Sequence, residues 1–219
     1  YLTMYYGSSF DLAVYTASVL HQQGIMSMPD KYTLLYNPKL YLELDHPRYE
    51  LIGNTGVINY DTWLFRFELV FEQNKPFNTG DNSQIPPAIG NDNSNSYSGM
   101  LGIGYSGFKE AQVSAEISKV FIEKDLALMF PAEKPSFAFR MSKKYLHDRL
   151  NILIVAMMMG KQAELGWLAR AQIDYSIIDA VKVYFGYITY HPGEELGPFA
   201  GLETHDRLLI GFRWDFHLL

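Results

Sequence analysis

The sequence predicts an all-β fold, an antiparallel up-and-down β-barrel that crosses a membrane. Three observations support this prediction: apolar and polar residues alternate in many segments, short and long connections tend to alternate, and aromatic residues are abundant. Aromatic residues make up 15% of the 219 residues, with 16 Tyr and 14 Phe. Tyr and Trp combine an apolar body with a polar tip, which suits surfaces that meet both water and lipid.

The clearest alternation lies in the segment 63–72. One set of alternate positions holds only large apolar residues, namely Trp63, Phe65, Phe67, Leu69 and Phe71. The other set holds three charges, in the order Leu64, Arg66, Glu68, Val70 and Glu72. A period of two puts these sets on opposite faces of a strand, whereas a helix would scatter the charges among the aromatic rings. The segment is therefore predicted to be a strand.

Further segments show the same pattern and bring the predicted strands to ten. The pattern is clear in 136–144, 167–175, 181–190 and 208–216, and weaker in 12–20, 49–58, 98–105, 112–121 and 150–159. A stub at 1–6 makes eleven, so we expect a single domain over residues 1–219 with about 10–12 strands visible. Because bacterial single-chain barrels have even strand numbers, we expect this domain to be N-terminally incomplete and part of a larger barrel.

The connections tend to alternate in length. Short ones are predicted at 7–9, 59–62, 106–110, 146–147 and 176–178, a modest one at 160–163, and long ones at 21–47, 73–96, 122–135 and 191–205. Outer-membrane barrels have tight turns on the periplasmic side and longer loops outside, whereas sandwich connections mix lengths. The last strand is then expected to end on the periplasmic side. The segment 74–96, rich in Asn, Gly, Pro and Ser, is predicted to be a mobile external loop.

Composition excludes several classes of protein. The net charge of -6 argues against a nucleic-acid partner, which would favour a basic surface. The absence of cysteine excludes a disulfide scaffold, a thiolate metal site and a Cys nucleophile. No apolar run approaches the roughly 20 residues of a membrane helix, so the chain either is soluble or crosses a membrane as strands. The six histidines lack metal-ligand spacing, and we predict neither a metal nor a cofactor.

Charged residues are expected on the inner side of the strands. They are Arg66, Glu68, Glu72, Glu116, Arg140, Lys144, Arg170, Asp174, Lys182, Arg213 and Asp215. Two interpretations stay open: a mixed-charge lumen that filters solutes, or cross-strand ion pairs that fill a narrow barrel. The nearly balanced signs favour pairing, since a strongly selective ion filter would favour one sign.

Aromatic residues are expected on the outer side, where they would form girdles at the membrane interfaces. They are Trp63, Tyr105, Trp167, Tyr175, Tyr187 and Trp214. The alternative is that the same residues form the core of a soluble β-sandwich.

The segment 150–159 is apolar on both predicted faces. Its inner residues would be Asn151, Leu153, Val155 and Met157. They predict either an apolar patch in the lumen that accepts a hydrophobic ligand or contact with a packed plug. A buried helix is the remaining alternative for this segment.

Two short motifs have a chemical interpretation and a structural one. Gly102, Gly104 and Gly107 match the dinucleotide pattern G-x-G-x-x-G, but no buried strand precedes them and no helical pattern follows. A strand with a small inner face, ending in a tight turn, is favoured instead. His205 and Asp206 suggest a base with its orienting carboxylate, but no nucleophile is identifiable for it.

Several stretches carry a resemblance to a known family. They are His46–Arg48 leading to Gly53, the segments 62–68 and 105–107, Asp174–Ser176 with Asp179–Ala180, Phe185–Gly186, and Asp206–Arg207. From roughly residue 40 to its end, the chain resembles the C-terminal portion of a proteobacterial family of outer-membrane β-barrels catalogued as a domain of unknown function. The resemblance implies a porin-like barrel, suspected of handling lipids or other hydrophobic compounds, and it implies no catalytic residue.

The expected function is that of a channel in the bacterial outer membrane, not an enzyme. Its partners would be outer-membrane lipid, a small or hydrophobic solute, and a second copy of the chain or a periplasmic transport partner. One alternative is a closed structural or adhesion barrel that binds partners through its long extracellular loops. Another is an outer-membrane enzyme with a site at the loop rim.

Overall fold

A computed structural model describes residues 2–5, 10–20, 25–27, 43–81, 88–128, 133–194 and 197–215. Regular structure in these ranges consists of thirteen β-strands. They are β1 (Leu2–Tyr5), β2 (Phe10–Leu20), β3 (Ile25–Ser27), β4 (Glu43–Asp45), β5 (Arg48–Tyr60), β6 (Trp63–Asp81), β7 (Ala88–Tyr105), β8 (Ala111–Ile122), β9 (Ser136–Tyr145), β10 (Leu150–Met159), β11 (Trp167–Ile178), β12 (Val181–His191) and β13 (Arg207–Trp214). Across the described ranges, no helix is long and apolar enough to cross a membrane.

Eleven of these strands form one antiparallel sheet in the order β1-β2-β5-β6-β7-β8-β9-β10-β11-β12-β13. Each strand pairs with its predecessor in the chain, except that β3 and β4 form a separate hairpin between β2 and β5. This confirms the predicted all-β, up-and-down antiparallel fold and its eleven strands. Over the described residues β1 and β13 do not pair, so the sheet has two free edges.

The predicted alternation of connection lengths is confirmed for the connections from 106 onward, whereas the predicted connections 7–9 and 21–47 lie wholly or largely outside the described residues. At one end of the sheet, here called the short-turn end, lie the connections 61–62, 106–110, 146–149 and 179–180. At the opposite end, the long-loop end, lie 123–135, 160–166 and 192–206. β13 therefore runs from the long-loop end to the short-turn end, as the sequence predicts.

The prediction of a loop over 74–96 is wrong for residues 74–81 and 88–96, which are strands, whereas residues 82–87 lie outside the described ranges. β6 and β7 continue their pairing from Lys75 opposite Ser94 to Asp81 opposite Ala88, beyond the strands beside them. We call this extension, residues 75–81 and 88–94, the arm. A register shift after Glu72 starts it, and Asn74 takes up a φ of 58° there, a conformation that Asn tolerates.

Tertiary contacts explain why these polar residues form strands despite their low β-propensity. The amide of Gly80 donates to the carbonyl of Ala127 at 3.0 Å, and Thr79 pairs with Leu128 from the β8–β9 connection. The side chain of Phe77 is buried in the arm. The β3–β4 hairpin, which the sequence pattern does not predict, lies next to β6 and β7.

The two faces of the sheet have opposite chemistry. The outer face, which carries Trp63 and Phe65, is apolar and exposed; Leu69 is 60% exposed, Leu101 63% and Ile210 76%. The inner face, which carries Arg66 and Glu68, is mainly polar on β6 to β9 and largely apolar on β10. Buried apolar side chains in the described ranges are few: Phe77, Ala111, Ile122, Leu165 and Phe199. A soluble sandwich would bury the apolar face against a second large sheet, and the described residues contain none.

Candidate functional site on the inner face

The predicted inner charges share one face of the sheet. Directly paired residues of antiparallel strands point to the same side, and the register connects the whole set through these pairs. Arg66, Glu68 and Glu72 lie on β6 and Glu116 on β8. Arg140 and Lys144 lie on β9, Arg170 and Asp174 on β11, Lys182 on β12 and Arg213 on β13, with Asp215 directly after it.

Gly102 leaves the space in which the closest ion pair of this face forms. Arg66 and Glu116 stand on β6 and β8, and their side chains meet over Gly102 on β7, which separates them. A Cβ on Gly102 would lie 3.2 Å from Cγ of Glu116 and 3.6 Å from Nε of Arg66. The G-x-G pattern therefore provides room on the inner face, as the structural interpretation predicts. Both charged side chains keep about a third of their surface exposed, so the pair is partly screened by water.

A second glycine forms the floor of a cavity of about 380 Å³ at the short-turn end. Gly104 lies there among polar side chains such as Gln112, Ser114, Arg140 and Ser142. The cavity is lined by the first five residues of a longer line of paired residues, which we call the inner row. The inner row comprises Asn59, Leu64, Gly104, Ser114, Arg140, Val155, Arg170, Ile188 and Arg207.

Other polar contacts of β6 hold neighbouring elements to it. The hydroxyl of Tyr15 on β2 donates to Glu68 at 2.7 Å, and its ring lies over Gly53, where a Cβ would collide with Cζ of the ring. At the base of the arm, Glu72 is buried, receives a 2.6 Å hydrogen bond from Ser96 and pairs with Lys75 at 2.8 Å. The carboxylates of Glu68 and Glu72 therefore bind side chains of the sheet itself.

A chain of hydrogen bonds runs along β11. Arg170 donates to Gln172, which donates to Asp174 at 2.7 Å. Asn151 on β10 donates to the second oxygen of Asp174 at 3.1 Å. Asp174 is thus satisfied by amides, and Arg170 has no carboxylate partner among the described residues.

Of the two interpretations left open for the inner charges, cross-strand ion pairing accounts for one pair of them in the described part of the chain. Arg66–Glu116 joins two strands, whereas Lys144–Asp148 at 3.4 Å and Arg213–Asp215 at 2.8 Å are local in sequence. Instead the signs separate along the sheet. The predicted charges on β6 and β8 are one cation and three anions: Arg66, Glu68, Glu72 and Glu116. Those from β9 onward are five cations and two anions: Arg140, Lys144, Arg170, Lys182, Arg213, Asp174 and Asp215.

Apart from Asn151, the inner face of β10 is apolar, and the segment is a strand, so the helix alternative is wrong. Val155 and Met157 pair with Arg170 and Leu168 on β11, which gives an aliphatic patch beside the arginine. Met157 is 36% exposed. In the described ranges, therefore, no plug covers this patch.

The outer aromatic residues cluster towards the two ends of the sheet. At the short-turn end, the rings of Trp63 and Tyr105 lie 4.5 Å apart and Phe108 meets Tyr105 edge-on at 4.9 Å. Tyr175 and Trp214 are on strand ends at the same side, whereas Trp167 stacks on His191 at 5.8 Å near the long-loop end. Tyr187 is also on the outer face, towards the long-loop end.

Four strands share one aromatic spacing on this face. An aromatic residue near each end encloses a stretch of nine residues, counted with both ends, in Trp63–Phe71, Tyr97–Tyr105, Phe137–Tyr145 and Trp167–Tyr175. A tilted transmembrane strand needs about 9–11 residues. The spacing in these strands lies at the lower end of that range.

The pair His205 and Asp206 does not form a base with its orienting carboxylate. Asp206 accepts hydrogen bonds from the hydroxyl of Tyr187 at 2.5 Å, from Thr189 at 3.2 Å and from the amide of Tyr190 at 3.2 Å. The hydrogen bond from Tyr187 contributes most to holding the pKa of Asp206 below its ordinary value. Asp206 thereby fixes the end of the β12–β13 loop to the outer face of β12.

Arg207 also lies on the inner face, although it was not among the inner charges predicted from the sequence. The sequence could have shown this, because Arg207 occupies an odd-numbered position of β13, as do the inner-face residues Gly211 and Arg213. Among the described residues, no group of three or more His, Cys, Asp or Glu is placed to hold a metal ion.

No protein-family model matches the chain, and no curated protein sequence matches it either.

Proposed function

We propose that this chain is the wall of a β-barrel in the bacterial outer membrane that lets small solutes, including hydrophobic ones, pass along its inner face. The observation that carries the proposal is the inversion of the two faces. Exposed apolar residues cover the outer face, while charges and hydrogen-bonded polar groups line the inner face. Lipid on one side and a polar lumen on the other satisfy both faces at once.

The size of the apolar face argues against water as its surroundings. Soluble monomers rarely expose contiguous apolar patches larger than a few hundred Å². Here large apolar side chains are exposed on every sheet strand from β5 to β13. Water contact would cost roughly 25 cal/mol for each Å² of apolar surface, a cost that the hydrocarbon of a bilayer removes.

The spacing of the outer aromatic residues supports the same proposal. The aromatic residues at the two ends of β6, β7, β9 and β11 agree with interfacial girdles, because Tyr and Trp are favoured where lipid meets water. The inner face offers both a polar cavity at Gly104 and an aliphatic patch at Met157. Solutes with polar and apolar parts fit this lining.

The direct test uses the full-length protein inserted into liposomes and planar bilayers. We expect ionic conductance and solute uptake from protein whose insertion is verified by protease protection. A mock preparation from cells that lack the gene serves as the control. Verified insertion with no conductance and no uptake would overturn the channel function.

A second candidate is a closed barrel that binds a partner at the cell surface, and the arm is the observation that favours it. The arm extends well past the neighbouring strands and carries exposed polar residues such as Asn91 and Asn93. This function predicts an impermeable barrel whose cell-surface attachment is lost when 75–94 is replaced by a two-residue turn. Conductance that survives this replacement, with attachment unchanged, would contradict it.

A further inference from the structure

Three arginines occupy the inner row on alternate strands. Arg140 on β9 pairs with Val155, Val155 pairs with Arg170 on β11, Arg170 pairs with Ile188, and Ile188 pairs with Arg207 on β13. Because neighbouring strands are about 4.8 Å apart, successive arginines have backbones about 10 Å from one another. An aliphatic residue separates each pair.

Across successive strands, the inner row shifts from the short-turn end of the sheet to the long-loop end. Leu64 lies one residue from the short turn before β6, and Arg140 lies in the middle of β9. Arg207 is the first residue of β13, at the long-loop end. Because the strands are staggered, the three arginines follow one another between the long loops and the cavity at Gly104. Arg140 also lines that cavity.

These arginines keep their charge available. In the described part of the chain, none of the three forms an ion pair. Arg170 donates to the neutral amide of Gln172, and its Nε is buried without an acceptor. Arg66 on β6 differs, since Glu116 neutralises it.

We propose that the inner row is a path for organic anions that carry an apolar body, such as medium-chain or aromatic carboxylates. The guanidinium groups bind a carboxylate through two parallel hydrogen bonds, and their spacing lets the head group pass from one to the next. Val155, Ile188, Met157 and Leu168 contact the apolar body beside them. This inference rests on the proposed channel function and names its class of solute.

The test compares the full-length protein with the triple variant Arg140→Gln, Arg170→Gln and Arg207→Gln. The readouts are the reversal potential in a salt gradient and the uptake of octanoate and of uncharged glycerol into liposomes. We expect wild-type protein to prefer anions, and the triple variant to take up octanoate about tenfold more slowly while its glycerol uptake falls far less. The triple variant with Lys at the same three positions should keep most of the octanoate uptake, because it keeps the charge.

A matched control removes three cations away from the inner row: Lys109→Gln, Arg149→Gln and Lys161→Gln, all in exposed connections. It should behave like wild type. Conductance with octanoate uptake equal in the inner-row variant and this control would overturn the inference and leave the channel function standing. A wild-type protein that conducts nothing would overturn both. If the triple Gln variant fails to insert, the single variants at the exposed Arg140 and Arg207 decide, each with the same expected direction.

Discussion

The inner face has two regions, which differ in whether the arginines on it form ion pairs. On β6 to β8, glycines leave space, and Arg66 reaches Glu116 across Gly102. On β9 to β13, Val155 and Ile188 fill the equivalent space between arginines, and no carboxylate stands opposite. The difference shows that two conditions are needed for an ion pair on this face: an opposite charge two strands away, as Glu116 is for Arg66, and a small residue between them that lets the side chains meet.

Both regions depend on the same outer surface, so a charge placed there has the largest expected effect. Leu101 lies midway between Tyr97 and Tyr105 on the outer face of β7. We expect Leu101→Arg to destabilise the inserted protein by about 2–4 kcal/mol, the cost of such a charge at the bilayer midplane. Urea unfolding in lipid vesicles measures it. Met100→Arg, one residue away on the inner face, is the control, and equal costs for the two variants would contradict the assignment of the faces.

Filling the glycine of the first region should have the next largest effect. Gly102→Val forces Glu116 away from Arg66, and overpacking of this kind costs roughly 1–3 kcal/mol. Gly99→Val on the outer face of the same strand meets Leu69 at an ordinary 3.5 Å and should cost little. The difference between their unfolding free energies is the measurement. No difference would mean that the space over Gly102 has no structural role.

Removing single charges tests whether the two regions differ in how much an ion pair stabilises them. Glu116→Gln leaves Arg66 unpaired and should cost roughly 0.2–1 kcal/mol, the range for a partly exposed ion pair. Arg140→Gln breaks no ion pair among the described residues and should cost less. The same urea titration checks both. A larger loss for Arg140→Gln would show that its charge is structurally neutralised.

The smallest effect concerns the loop beside Arg207. The pKa of Asp206 is lowered in the folded protein, mainly by the hydrogen bond from Tyr187, so its contribution is present above the ordinary value of 3.8 and lost as pH falls below it. We expect the ¹⁹F resonance of fluorotyrosine at Tyr187 to shift in acid towards its position in Asp206→Ala. Tyr187→Phe assigns the signal. A resonance that is identical in both proteins at neutral pH would contradict the contact.

The sequence was sufficient to predict the strands of the main sheet, because alternation such as that in 63–72 survives without tertiary information. It failed at the arm, where Asn, Ser and Gly dominate and pairing partners, together with the contact of Gly80 with Ala127, override low propensity. It also missed β3 and β4, which are short.

The inner row could not be predicted for a different reason. Parity predicts that Arg140 and Arg170 share a face, but only the register shows that both stand on one row with Arg207. Register depends on stagger between strands, and one strand's own sequence carries little information on it. The segregation of charge was visible in the sequence, yet the near balance of signs suggested pairing.

The most direct test of the central claim is the environment of alternate residues along β7. The chain has no cysteine, so single cysteines at positions 97–105 of the inserted protein can each carry a nitroxide spin label. We expect labels at the odd positions to collide with lipid-dissolved oxygen and labels at the even positions to collide with a water-soluble paramagnetic complex. Equal exposure of odd and even positions to the water-soluble complex would contradict a lipid-facing outer surface.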